Sequence, residues 1–234
     1  MPFQVRALPL TFFIRCLFSK VFLVYTGLVL FVYMATDGFQ NNAPFVFTIP
    51  VVVLGWFTLW TRMPRRTRIL TAVSFFTLAL ALYSWSMFPK KLELSALLIC
   101  LSQIAYLLSF YESLRKWWIA LALTTCLVMG LFLYGIFADL FRSIPALVIA
   151  CATIISLSST SFIVAGSVWK NGSTIPYEER SALVRFFGTF FLLVCNSALL
   201  INHFARHTGT IVWYLNFTYY MSQFLLYFAN ERAF

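Results

Sequence analysis

The residues best equipped for chemistry in this chain are uncharged polar side chains set in apolar surroundings, and they gather between Gly188 and Gln223. Asn196 and His203 lie seven apart in one apolar segment, a spacing that puts both on one face of a helix. Asn216, Tyr219 or Tyr220, and Gln223 follow the same spacing in the next segment, after a short turn around Arg206 to Gly209. Two such segments read as a helical hairpin in a membrane. Polar side chains at membrane depth turn inward, towards one another or towards a wet cavity. Amides and phenols placed there can orient a water or offer a dipole, but an amide cannot act as a general acid. Gln103 with Tyr106, the group Tyr83, Ser84 and Ser86, and the run from Ser156 to Ser161 extend the set upstream. Each also has a plainer explanation. Ser, Asn and Gln commonly bond helix to helix, the serine run has no base near it in sequence, and His203 stands close to a helix end.

The elements that must position these groups follow from composition. Hydrophobic residues make up 62% of the chain and charged residues 10%, with a mean hydropathy of +0.87. Soluble domains carry roughly a quarter of their residues charged, so the chain is a polytopic membrane protein with little soluble mass. Its net charge of +10 then belongs to loops facing anionic headgroups rather than to nucleic acid. Five cysteines, Cys16, Cys100, Cys126, Cys151 and Cys195, are scattered through apolar runs. They show neither metal-ligand nor disulfide spacing, so no metal, cofactor or disulfide framework is expected. No phosphate-binding loop, nucleophile elbow or HExxH motif occurs. All seven acids fall in loops or at helix ends, whereas a proton-coupled pump usually needs one in mid-span.

The expected architecture is all-α: one transmembrane domain, residues 1–234, of eight helices with both termini in the cytoplasm. Residues 1–20 form an interfacial segment. They resemble a signal peptide but lack a small-residue cleavage site, so a retained first helix is expected. Spans are expected near 21–35, 44–60, 69–88, 94–111, 117–137, 145–169, 184–204 and 210–229. On this count all but Lys90, Lys91, Arg142 and Arg206 of the 17 Lys and Arg lie on one side, which the positive-inside rule makes cytoplasmic. Asn171-Gly-Ser173 would then face the cytoplasm and Asn216-Phe-Thr218 would lie within a span, so neither acceptor motif should be glycosylated. The compartment is the endoplasmic reticulum or another endomembrane in a eukaryote, or the inner membrane in a bacterium.

Gly188, Asn196-Ser197, Asn202 and Phe204, followed by Thr218-Tyr219-Tyr220 and Gln223, resemble the last two helices of the lysoplasmalogenase (YhhN-like) family. Those helices carry a Gly-x7-Asp/Asn-Ser element and a Tyr-Tyr-x-x-Gln element. Phe88-Pro89 and Gln103-Ile-Ala-Tyr106-Leu-Leu-Ser-Phe110 are similar to the region around the family's third and fourth helices, where His-x-x-Tyr-x-x-x-Phe is usual. The resemblance implies a membrane hydrolase that cleaves the vinyl ether bond of lysoplasmalogens to a fatty aldehyde and a glycerophospho-base. It implies catalytic positions at Asn196, Gln103 and Tyr83, and substrate contacts at Tyr106, Ser197, Tyr219, Tyr220 and Gln223. It also implies a membrane lipid or lysophospholipid as partner. The chain departs from the pattern at the chemistry. No acid stands near Tyr83 or Ser84, the acidic position of span seven is Asn196, and the histidine of span four is Gln103. Asp139, Tyr83 and His203 are the available substitutes. The competing expectations are a non-catalytic lipid-binding member of the same fold, and an unrelated small serpentine receptor or transporter.

Overall fold

The computed structural model describes residues 20–41, 43–87, 92–138, 140–175, 179, 181–204 and 211–233, with the side chains of 211 and 212 left aside. The interfacial segment 1–19, the turn at 88–91, Asp139 and the hairpin turn at 205–210 lie outside the described residues.

Within that range there are eight α-helices: α1 Lys20–Ala35, α2 Pro44–Trp60, α3 Arg65–Met87, α4 Leu92–Phe110, α5 Ile119–Phe137, α6 Pro145–Asn171, α7 Ala182–Phe204 and α8 Ile211–Arg232. Pro44 and Pro145 open α2 and α6, where a proline ring pre-sets helical φ and its missing N–H costs nothing. Gly172 ends α6 at φ 82, a left-handed cap that a side chain resists. The basic cluster differs from its expected loop setting. Arg65, Arg66 and Arg68 form the first turn of α3, and Arg66 pairs with Glu112 across the end of the bundle.

α3, α4, α5, α6 and α7 are long and apolar enough to cross a membrane, while α1 and α2 are apolar but shorter. The chain is thus a multi-pass membrane protein. α8 is less apolar for a physical reason: protein, not lipid, surrounds much of it. Tyr220, Phe224, Leu226, Tyr227, Phe228 and Ala229 are all buried. Leu23, Met34, Trp60, Leu123, Leu127 and Leu131 are instead strongly exposed, which is the pattern of lipid-facing positions.

Successive packing closes a ring. α2 packs on α3, α3 on α4, α4 on α6, α6 on α7, α7 on α8, and α8 back on α2. α1 lies outside against α2 and α8, and α5 outside against α6. One large apolar cluster joins α1, α2, α3 and α8 around Tyr25, Leu54, Phe75 and Phe224. A second joins α4, α6, α7 and α8 through Tyr106, Val164, Leu192 and Leu226.

The end of the ring with the basic loops is sealed. Arg185, near the start of α7, is wholly buried. Its Nη2 donates to Asn230 Oδ1 at 3.0 Å, and its guanidinium lies 4.7 Å from the Phe110 ring centre. Asn230 Nδ2 donates onward to Thr71 Oγ1 at 2.8 Å and Ser109 Oγ at 3.2 Å. One asparagine thereby ties α3, α4, α7 and α8 together.

Candidate functional site: a polar cavity inside the helix ring

The other half of the ring is hollow. A cavity of about 380 Å³ separates α3 and α4 from α7 and α8, within the size range of small-molecule sites. Each wall helix offers one stripe to it. Leu78, Ala81, Leu82 and Trp85 come from α3; Ile99, Ser102, Gln103 and Tyr106 from α4; Leu192, Asn196, Leu199 and His203 from α7; Leu215, Tyr219, Gln223 and Leu226 from α8. These spacings of three and four are those of one helix face. The floor is closed where Tyr106 Oη donates to the Leu226 carbonyl at 3.1 Å.

At the mouth the α1–α2 turn contributes Phe39, Gln40 and Asn41. Asp37, Gly38 and Phe39 have φ of 47, 73 and 67. A bulky residue in the left-handed region is strained, and here burial of the ring offsets the strain. Phe39 packs 5.5 Å from Tyr33, 6.2 Å from Phe47 and 6.1 Å from Tyr220. Thr36 Oγ1 accepts the Phe39 N–H at 3.1 Å and fixes the turn.

Gln103, Tyr106, Asn196, Tyr219 and Gln223 all line this cavity. Gln103 and Asn196 are joined through Ser158 of α6. Asn196 Nδ2 donates to Ser158 Oγ at 2.8 Å, and Ser158 Oγ lies 2.9 Å from Gln103 Oε1, to which it can donate. That chain uses half of each amide. Among the described residues, Gln103 Nε2 and Asn196 Oδ1 make no protein hydrogen bond, and the buried Tyr219 hydroxyl has no partner. Gln223 Nε2 reaches only its neighbour's Ser222 Oγ, at 3.3 Å. Packing contacts would have consumed these groups, because an unmade buried hydrogen bond is costly. Here the free amide groups of Gln103 and Asn196 face space, whereas the Tyr219 hydroxyl is enclosed and unpaired.

Three expected site residues are placed elsewhere. Tyr83 sits on the outer face of α3 and is exposed; the α3 stripe passes through Leu82 and Trp85, one residue before it and two after. Ser197 turns back to donate to the Leu193 carbonyl at 2.8 Å. Tyr220 points outward, its hydroxyl donating to the Phe47 carbonyl at 2.9 Å while its own carbonyl accepts from Tyr25 at 2.8 Å. It fastens α8 to α1 and α2. Conversely, Ser158, Trp85, Cys195 and the α1–α2 turn belong to or support the site. Of these only Ser158 had a sequence signal, in the run from Ser156 to Ser161, which reads first as packing surface.

No Asp or Glu lines the cavity among the described residues, and no cluster of three His, Cys, Asp or Glu there could hold a metal. The titratable groups on its wall are Tyr106, Tyr219, Cys195 and, at the exposed mouth, His203.

A family model covering α4 to α8, that of the YhhN family, matches residues 89–230. The chain belongs to the YhhN family. The matched stretch supplies most of the cavity wall, α3, Phe47 of α2 and the α1–α2 turn excepted. Membership overturns the expectation of a chain unrelated to that family. No curated protein and no solved structure matches the chain.

Proposed function

We propose that this YhhN-family protein binds a lysoplasmalogen-type lipid, one alkenyl chain on a glycerophospho-base, inside the helix ring. The carrying observation is the unconsumed hydrogen-bonding capacity of Gln103, Asn196 and Gln223 on one cavity. A lysolipid has the matching chemistry. Its glycerol hydroxyl and ether oxygen lie at the junction of a polar and an apolar part, and the cavity offers amides beside Leu78, Leu82, Ile99 and Leu192. At about 380 Å³ it holds that junction and not a whole lipid, so part of the chain lies outside it.

Lysoplasmalogenase-like hydrolysis of the vinyl ether is the second reading. It needs a proton delivered to the enol ether carbon, stabilisation of the oxocarbenium, and a water. Gln103 and Asn196 can position water and present dipoles; Tyr106, Tyr219 and His203 are what remains for proton transfer. A positioned acid or base contributes about 10²–10⁴-fold. A wall of neutral amides therefore leaves the reaction slow, and binding is the function the geometry supports best.

Purified protein given lysoplasmenylethanolamine separates the two readings. Saturable binding, weakened by Gln103→Leu, with no aldehyde above a no-protein control is the expected result. Aldehyde release that Gln103→Leu abolishes would make the protein an enzyme. Absence of saturable binding would end both readings.

A further inference from the structure

The cavity has an apolar neighbour on its α6 side. A narrow space of about 30 Å³ is bounded by Leu92 and Ala96 of α4, Leu147, Cys151 and Ile154 of α6, and Leu200 of α7. It shares Trp85, Ile99, Asn196, Leu199 and His203 with the polar cavity. The two spaces thus lie either side of one partition, formed where Trp85 and His203 meet at 5.7 Å between ring centres. The partition's remaining members are aliphatic apart from Asn196, whose Nδ2 is held by Ser158.

We infer that this side arm is the seat of the lipid's hydrocarbon chain where the chain leaves the polar cavity. The inference rests on the lysolipid reading above and adds the direction of the tail. The cavity's other two ends are a closed floor and a polar mouth. The Tyr106–Leu226 contact floors it, the wholly buried Arg185–Asn230 cluster lies beyond, and the mouth is polar, with Gln40, Asn41 and Asn202 on its rim. An alkenyl chain directed to that rim would set its methylenes against amides. Directed into the arm, it meets Ala96, Leu147, Cys151 and Ile154. The arm lies between α4, α6 and α7, and on the side away from the polar cavity Cys151 and Leu200 pack with Phe137 of α5. Ala96 and Cys151, both buried and small, leave the room. A space of this size holds about two methylene-sized groups, and seating them is worth about tenfold in affinity.

A photolabel tests the assignment. Lysoplasmenylethanolamine carrying a diazirine on the first few chain carbons past the double bond is bound to the full-length protein in nanodiscs and irradiated. Labelled residues are then mapped by mass spectrometry. Label at Leu147, Cys151 or Ile154, displaced by unlabelled lipid, is the expected result. Cys151→Phe should remove that label and weaken binding about tenfold, and Ala96→Leu, the smaller insertion, should act in the same direction if the phenylalanine variant does not fold. Displaceable label on the α1–α2 turn, or on Leu226, overturns the arm while leaving the lysolipid pocket standing. Absence of any displaceable label, together with absence of saturable binding, overturns the pocket itself.

Discussion

At the scale of single residues, the cavity wall carries amides and, among the described residues, no carboxylic acid. Asn196 is the clearest instance. It lies on the cavity stripe of α7, buried, with its Oδ1 open to the space and its Nδ2 on Ser158. Asn196→Asp changes one atom and supplies a proton-transfer group, so aldehyde release from lysoplasmenylethanolamine should rise by about 10²-fold or more. A folded variant that binds lipid and gains nothing would show that chemistry needs more than this position. Magnitudes also separate the two polar networks. Ser158→Ala removes neutral interhelical hydrogen bonds, which in membranes average about 0.6 kcal/mol. It should cost less than about 1 kcal/mol of stability and yet weaken lysolipid binding, because Gln103 and Asn196 lose their common anchor. Asn230→Ala strips a hydrogen bond from the buried Arg185 guanidinium, a contact to a charged group worth about 1.5–3 kcal/mol. Thermal unfolding in detergent should therefore fall much further for Asn230→Ala. Equal losses for the two would contradict the contrast.

At the scale of elements, the hairpin α7–α8 carries half the cavity wall and closes at Gly188. A Cβ built there lies 2.9 Å from Leu226 Cδ2 and 3.1 Å from Leu225 Cβ. Gly188→Val should therefore push α8 away, at about 1–3 kcal/mol for overpacking. Because Leu226 forms the cavity floor with Tyr106, the same variant should also weaken lipid binding. Melting temperature and lysolipid affinity should drop together; an unchanged melting temperature would mean the helices part freely.

This hairpin was the most legible element in the sequence, since Asn196, His203, Tyr219 and Gln223 announce a polar stripe by their spacing in an apolar context. Tyr220 and Ser197 were misleading for a simple reason. One residue is a 100° step on a helix, and a polar residue beside the stripe satisfies itself against its own backbone or another helix's carbonyl. Arg185 was hidden because a charge next to a loop reads as solvated; only tertiary structure shows Asn230 and Phe110 enclosing it. Gly188 and Arg185 also lie in register on α7, three residues apart, so the tight helix contact and the buried charge stabilise the same end.

At the scale of the whole molecule, the ring is asymmetric: sealed at its basic end and hollow at the other. Exposed Arg62, Arg65, Arg66, Arg115, Lys116, Lys170 and Arg232 surround the sealed end. Trp118 and Trp169 stand there with Lys170 4.2 Å over the Trp118 ring, an arrangement suited to a headgroup layer. The α1–α2 turn rims the hollow end. If positive charge keeps the first end in the cytoplasm, the cavity mouth opens to the opposite side, and lipid reaches it from the leaflet away from the cytoplasm. Two exposed positions test this, Lys116 and Gln40, each changed to Cys after the five native cysteines are replaced. In sealed vesicles with the cytoplasmic face outward, a membrane-impermeant maleimide should modify Lys116→Cys at once and Gln40→Cys only after permeabilisation. The reverse pattern would invert the protein, placing the cavity mouth on the cytoplasmic leaflet. Immediate labelling of both would mean that the ring does not span the bilayer, so that its exposed leucines would need a different partner from lipid.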